Sequence, residues 1–168
     1  QTDLHSTEAL RSAHRAQINH WDTADVYGRG LSEKIIGSMW KHVPRRDIFL
    51  ATKVGWDSGS HKHWYHPKHM KQTMERSLKN LKTDYVNLLY LHHCNFGKNN
   101  EYLDGALETI KSFQSEGKTQ FLGLSDWNSN KIMTFVDYCR PDVVQPYRNV
   151  WDDSYESSGL KDYVEKNS

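Results

Sequence analysis

The chain has 168 residues, a formal net charge of +1 and 36% hydrophobic residues, a size that suits one ordinary domain spanning 1–168 with room for a core. No apolar run approaches the roughly 20 residues of a membrane-spanning helix, the polar opening QTDLHSTEAL lacks a signal-peptide stretch, and no basic run exceeds Arg45–Arg46, so membrane and nucleic-acid partners are not indicated and a cytoplasmic location is expected. Cys94 and Cys139 are far apart, lack C-x-x-C spacing and read as free thiols.

In chain order, STEALRSAHRAQ predicts a helix over 6–17, with Ser6 as its cap and Glu8 in its first turn. INHWDT follows as a short strand. In LSEKIIGSMWKHV, Ile35, Ile36, Met39, Trp40 and Val43 recur at helical spacing before the stop at Pro44. DIFLATKV is β-rich, and HPKHMKQTMERSLKNLK places Pro67 at a helix start with Met70, Met74, Leu78 and Leu81 on one face. YVNLLYLHH is a near-continuous apolar strand. EYLDGALETIKSFQSEG carries a stripe of Leu103, Leu107, Ile110 and Phe113 ended by Gly117. TQFLGLSD, NKIMTFVDYCR, DVVQPY and SSGLKDYVEKNS continue the alternation. Five apolar strands interleaved with amphipathic helices predict parallel β/α units.

An open doubly wound sheet and part of a (β/α)₈ barrel both fit this order. The first is usually announced by a glycine-rich first turn, and no G-x-G-x-x-G is present. Polar groups instead stand beyond the carboxyl ends of different strands: Asp22, Tyr27, Lys53, His92, Ser125 and Gln145. In a barrel those ends converge on one face. A lysine near a tyrosine eases release of the phenolic proton, an aspartate holds the lysine, and a histidine can hydrogen-bond a substrate oxygen. Taken singly, each residue is equally well read as a cap, a packing group or a surface charge. His61, His63, His66 and His69 lack the paired spacing of a structural zinc site, so no metal is assigned and the segment reads as a mobile loop bordering the pocket.

WDTADVYGRGLSEKIIG resembles the signature of the aldo-keto reductase family, and ATKVGW, DYVNLLYLHH, GKTQFLGLSDW and VVQPY follow in the family's order. The resemblance implies a partial (β/α)₈ barrel of about five strands, lacking the family's opening strand and its last strands. It implies NADPH-dependent reduction of aldehydes or ketones, with Tyr27 as proton donor and Asp22, Lys53 and His92 beside it. Ser125, Asp126 and Gln145 fall where the family holds the nicotinamide carboxamide, with Asp126 in place of the usual asparagine. Trp56 and Trp127 are then walls of the substrate pocket. The final segment WDDSYESSGLKDYVEKNS matches nothing that grips the adenosine 2′-phosphate. TKVGW and GLSDW are also similar to the potassium-channel β-subunit branch, so a regulatory or truncated, inactive module is the alternative. Open sheet edges imply self-association or a complementary chain.

Overall fold

A computed structural model describes residues 2–167. Helix α1 (Thr2–Arg15) leads into β1 (His20–Asp22), and the alternation continues through α2 (Leu31–Ser38), β2 (Phe49–Val54), α3 (Pro67–Leu81), β3 (Val86–Leu91), α4 (Leu103–Ser115), β4 (Thr119–Asp126), α5 (Ser129–Cys139) and β5 (Val143–Pro146), before the short α6 (Ser154–Ser157) and α7 (Leu160–Asn167). All neighbouring strands are parallel, and the sheet order β1-β2-β3-β4-β5 follows the chain. In a flat sheet β1 and β5 would lie about 19 Å apart. Here Gln145 Nε2 on β5 donates to Asp22 Oδ2 on β1 at 3.2 Å. The sheet is therefore curled into a half-barrel of β/α units, which brings its two edges toward one another at the carboxyl ends of the strands.

Strand alternation divides the side chains between two faces. Trp21, Leu50, Val54, Leu89, Leu91 and Leu124 point outward into the main core with the helical residues Ile36, Met70, Met74, Leu81, Ile110 and Phe113. On the inner face Ala51, Leu88 and Tyr90 form a second cluster with Phe49 and Val143. The same parity puts Asp22, Lys53, His92, Ser125 and Gln145 on that inner face, above the apolar layer. The edge of the layer is incompletely covered, since Phe121 is 39% exposed.

Several boundaries differ from the sequence reading. Helix α1 begins at Thr2, so Ser6 lies inside it, and it ends at Arg15, with Gln17 turned into the left-handed region. The helix read over 31–43 stops at Ser38 and tightens into a 3₁₀ turn over Met39–Lys41. The segment 55–66 is anchored: Tyr65 is fully buried, stacks on Phe96 and donates its hydroxyl to the His93 carbonyl at 2.6 Å. Cys94 and Cys139 are buried free thiols, and burial raises both above the ordinary thiol range. No helix among the described residues is long and apolar enough to cross a membrane.

Candidate active site

Each polar side chain reaches the upper rim of the half-barrel by a separate local device. The β1–β2 ladder continues past Asp22 through Thr23 N–H to Ala51 O and Asp25 N–H to Lys53 O, which holds the following turn against β2. Gly28, Arg29 and Gly30 all adopt positive φ, a run that glycine at two of the three positions makes accessible. The turn swings Tyr27 back over the strand ends before α2 begins. Just past β3, His92 N–H bonds Val54 O at 2.8 Å, which keeps His92 in line with the end of β2.

Lys53 is at the centre. Its side chain is 2% exposed, and its Nζ donates to Asp22 Oδ2 at 2.5 Å and to the Thr23 carbonyl at 2.9 Å. Burial lowers the lysine from its ordinary value, while Asp22 opposes that shift. Tyr27 presents its ring 5.3 Å from the ammonium and meets His92 edge to face at 5.8 Å. The sequence reading has the lysine easing release of the tyrosine proton. The observed balance differs: burial raises Tyr27 and the carboxylate of Asp22 raises it further. Burial is the larger cause, and Asp22, held close by Lys53, adds to it. Tyr27 therefore holds its proton throughout the neutral range.

His92 is 7% exposed, and its Nδ1 is buried with no hydrogen-bond partner among the described residues. Burial, then the positive charge of Lys53 and of His93, pulls it down to about 4. At neutral pH it is an uncharged imidazole, with one nitrogen available as a donor or acceptor according to tautomer.

Ser125 and Gln145 stand side by side at the ends of β4 and β5, Ser125 Oγ 3.5 Å from Gln145 Oε1. With Tyr27, Lys53, His92 and Tyr147 they line a cleft of about 200 Å³. Asp126 also borders this cleft, but it is 5% exposed and its carboxylate is committed elsewhere. Oδ2 accepts from Cys94 N–H and Oδ1 from Asn128 N–H, each at 2.8 Å. An aspartate suits those two donors. Asn128 itself caps α5 by accepting from Asn130 N–H. Next to the cleft a second hollow of about 390 Å³ is lined by Trp56, Trp127, His92, His93, Asn95 and Lys131, among others. The two indoles approach to 6.1 Å, and Trp127 is 74% exposed.

The structure thus brings together Asp22, Tyr27, Lys53, His92, Ser125 and Gln145, places Trp56 and Trp127 beside them, and turns the oxygens of Asp126 toward backbone. Sequence reasoning missed the Thr23 carbonyl on Lys53 and the buried Tyr90, whose ring lies 5.6 Å from the same ammonium. Strand parity with His92 was the signal for Tyr90; nothing in the sequence marks a carbonyl. The histidine-rich segment packs as aromatic rings, His61 on His66 and His63 on Tyr102. Among the described residues no three His, Cys, Asp or Glu side chains assemble as a metal-holding group.

Comparison with known proteins is consistent across sequence and structure. The profile of the Aldo/keto reductase family matches residues 1–168. The chain is 37% identical over 123 residues to the uncharacterised oxidoreductase YqkF of Bacillus subtilis, covering 71% of this chain and 39% of that protein. It is 34% identical over 138 residues to L-galactose dehydrogenase of Arabidopsis thaliana, covering 80% and 42%. The crystal structure of a thermostable aldo-keto reductase, Tm1743, in complex with the inhibitor epalrestat superposes with a TM-score of 0.83 at 26% identity, covering 98% of this chain and 58% of that one. The chain spans about two fifths of the length of these two curated relatives.

Proposed function

This chain belongs to the aldo/keto reductase family, and on that premise we propose that its strand-end cluster reduces an aldehyde or ketone to the alcohol, with NADPH as hydride donor and Tyr27 as proton donor. The observation that carries the reading is the convergence of Asp22, Lys53, Tyr27 and His92 at one rim, with Ser125 and Gln145 beside them.

The donor set fits a nicotinamide. Ser125 offers a hydroxyl and Gln145 an amide, the complementary groups for a carboxamide, and the cleft they line opens directly onto Tyr27. NADPH, when bound, supplies the hydride. The protein's own contribution is orientation and charge. Neutral His92 hydrogen-bonds the carbonyl oxygen, Tyr27 delivers its proton to that oxygen as charge develops, and Lys53 stabilises the phenolate left behind. Asp22 keeps Lys53 charged despite its burial. Asp126 supports the site by tying the Cys94 and Asn128 backbones together. Trp56 and Trp127 form the walls that receive the rest of the substrate, a small carbonyl compound. Residues 1–168 act as one domain, in the cytoplasm.

The test is a nicotinamide fluorescence titration with NADPH, followed by addition of an aromatic aldehyde while NADPH absorbance is recorded. Binding with oxidation of NADPH is expected. Because these residues include no match to the family's 2′-phosphate grip, binding weaker than micromolar is predicted, a free energy smaller than about 8 kcal/mol in magnitude. Binding without oxidation would contradict the catalytic reading and indicate a regulatory module of the potassium-channel β-subunit kind.

A further inference from the structure

Tyr90 is the inner-face residue that proton transfer leaves without a task. It is 2% exposed and lies in register with Lys53 on one side and Gly123 on the other. A Cβ at Gly123 would come 2.2 Å from Tyr90 Cδ1 and 2.4 Å from Cε1. The tyrosine ring therefore occupies the space that any side chain at 123 would need. The ammonium of Lys53 is 5.6 Å from the Tyr90 ring centroid and 5.3 Å from that of Tyr27. Two of its three N–H groups are taken by Asp22 and the Thr23 carbonyl.

An ammonium with almost no access to water needs compensation beyond one carboxylate and one carbonyl, and the face of an aromatic ring supplies it. We propose that Tyr90 is a positioning residue for Lys53: its ring, seated on the bare backbone of Gly123, holds the ammonium in place beside Tyr27. The inference rests on the role given to Lys53 above. The titratable groups facing Lys53 are Asp22 from β1, Tyr27 from the following turn, Tyr90 from β3 and His92 just past its end. Asp22, Tyr27 and His92 are unchanged in every variant below.

The experiment follows the Lys53 side chain by ¹³Cε-lysine NMR against pH in the full chain, with Lys53→Met to assign the signal, and needs no turnover. In Tyr90→Leu and in Gly123→Ala, which reach the ring from different strands, the Lys53 titration moves to lower pH by about one unit. In Tyr90→Phe, which keeps the ring, it stays with the parent. If either Tyr90→Leu or Gly123→Ala fails to fold, the other decides. Steady-state kinetics add that Tyr90→Leu lowers kcat about tenfold with KM little changed. An unmoved Lys53 titration in the folded variants overturns the proposal, as does a Tyr90→Phe shift equal to that of Tyr90→Leu. A parent chain that reduces no carbonyl overturns the functional reading instead, and the NMR titration still decides whether Tyr90 holds Lys53.

Discussion

Burial, with the charges of Lys53 and His93 behind it, pulls His92 down to about 4, while burial, with Glu33 behind it, pushes Asp25 up to about 7. The two act on stability with opposite signs. Between about 4 and 6.5 the unfolded chain binds more protons at His92 than the folded chain does, so that contribution is full above 6.5 and lost as pH falls toward 4. Asp25 keeps its proton to about 7 when folded, against an ordinary 3.8, so its contribution is full below 3.8 and lost as pH rises through 7. Asp25 is 5% exposed, Arg76 reaches only its Oδ2, at 3.4 Å, and its Oδ1 is buried without a partner among the described residues. Replacing Asp25 by Asn supplies a group that stays neutral. Relative to the parent, Asp25→Asn is expected to gain a few kcal/mol of stability on going from about pH 4 to about pH 8. Urea denaturation at both pH values measures this, and a difference flat in pH would show that Asp25 ionises normally. None of it was legible in the sequence, where Asp25 is one letter of the WDTADVYG run. Its burial depends on α2 and α3 closing over the turn.

A strong hydrophobic period marks its element closely in the sequence, and a boundary set by local competition is not marked. TQFLGLSD coincides with β4 at Thr119–Asp126, and Pro67 opens α3 as its fixed φ and missing N–H favour. The start of α1 was displaced because a serine can cap a helix or ride within one, and the residues before it also favour helix. The four-residue α6 is too short to carry a period in the sequence. Alternation placed the site residues on one face, but their meeting required the curl, which brings Gln145 of β5 to Asp22 of β1 and which no single strand encodes. The core tests the packing directly. Met74 on α3 is fully buried in the outer core, and Met74→Ala is expected to cost about 2–5 kcal/mol in chemical denaturation. Its distance from the inner face predicts an unchanged Lys53 titration. A cost below about 1 kcal/mol would mean that α3 is not packed as described.

At the scale of the molecule, among the described residues β1 and β5 each pair with a single neighbour in the sheet, so each presents unpaired backbone N–H and C=O groups. Apolar surface lies along both edges. A groove of about 620 Å³ bordered by Leu10, Trp21, Leu31 and Ile35 runs beside β1, and one of about 540 Å³ bordered by Val143, Val144, Tyr155 and Val164 runs beside β5. The 168 residues alone are therefore expected to associate, with one another or with a complementary chain, through these edges. Light scattering at several concentrations, with hydrogen exchange on residues 18–23 and 142–147, measures it; a monomer with both segments protected would contradict it. The proposed chemistry sits at the carboxyl ends of the same strands, where Tyr27 is held over the rim with its proton retained and also borders the β1 groove. The most direct measurement is single-turnover reduction of an aromatic aldehyde at saturating NADPH by the parent and by Tyr27→Phe. The expected result is a loss of about 10²- to 10⁴-fold in rate with the fold and NADPH binding unchanged. A Tyr27→Phe rate within a few-fold of the parent would contradict the assignment of Tyr27 as the proton donor.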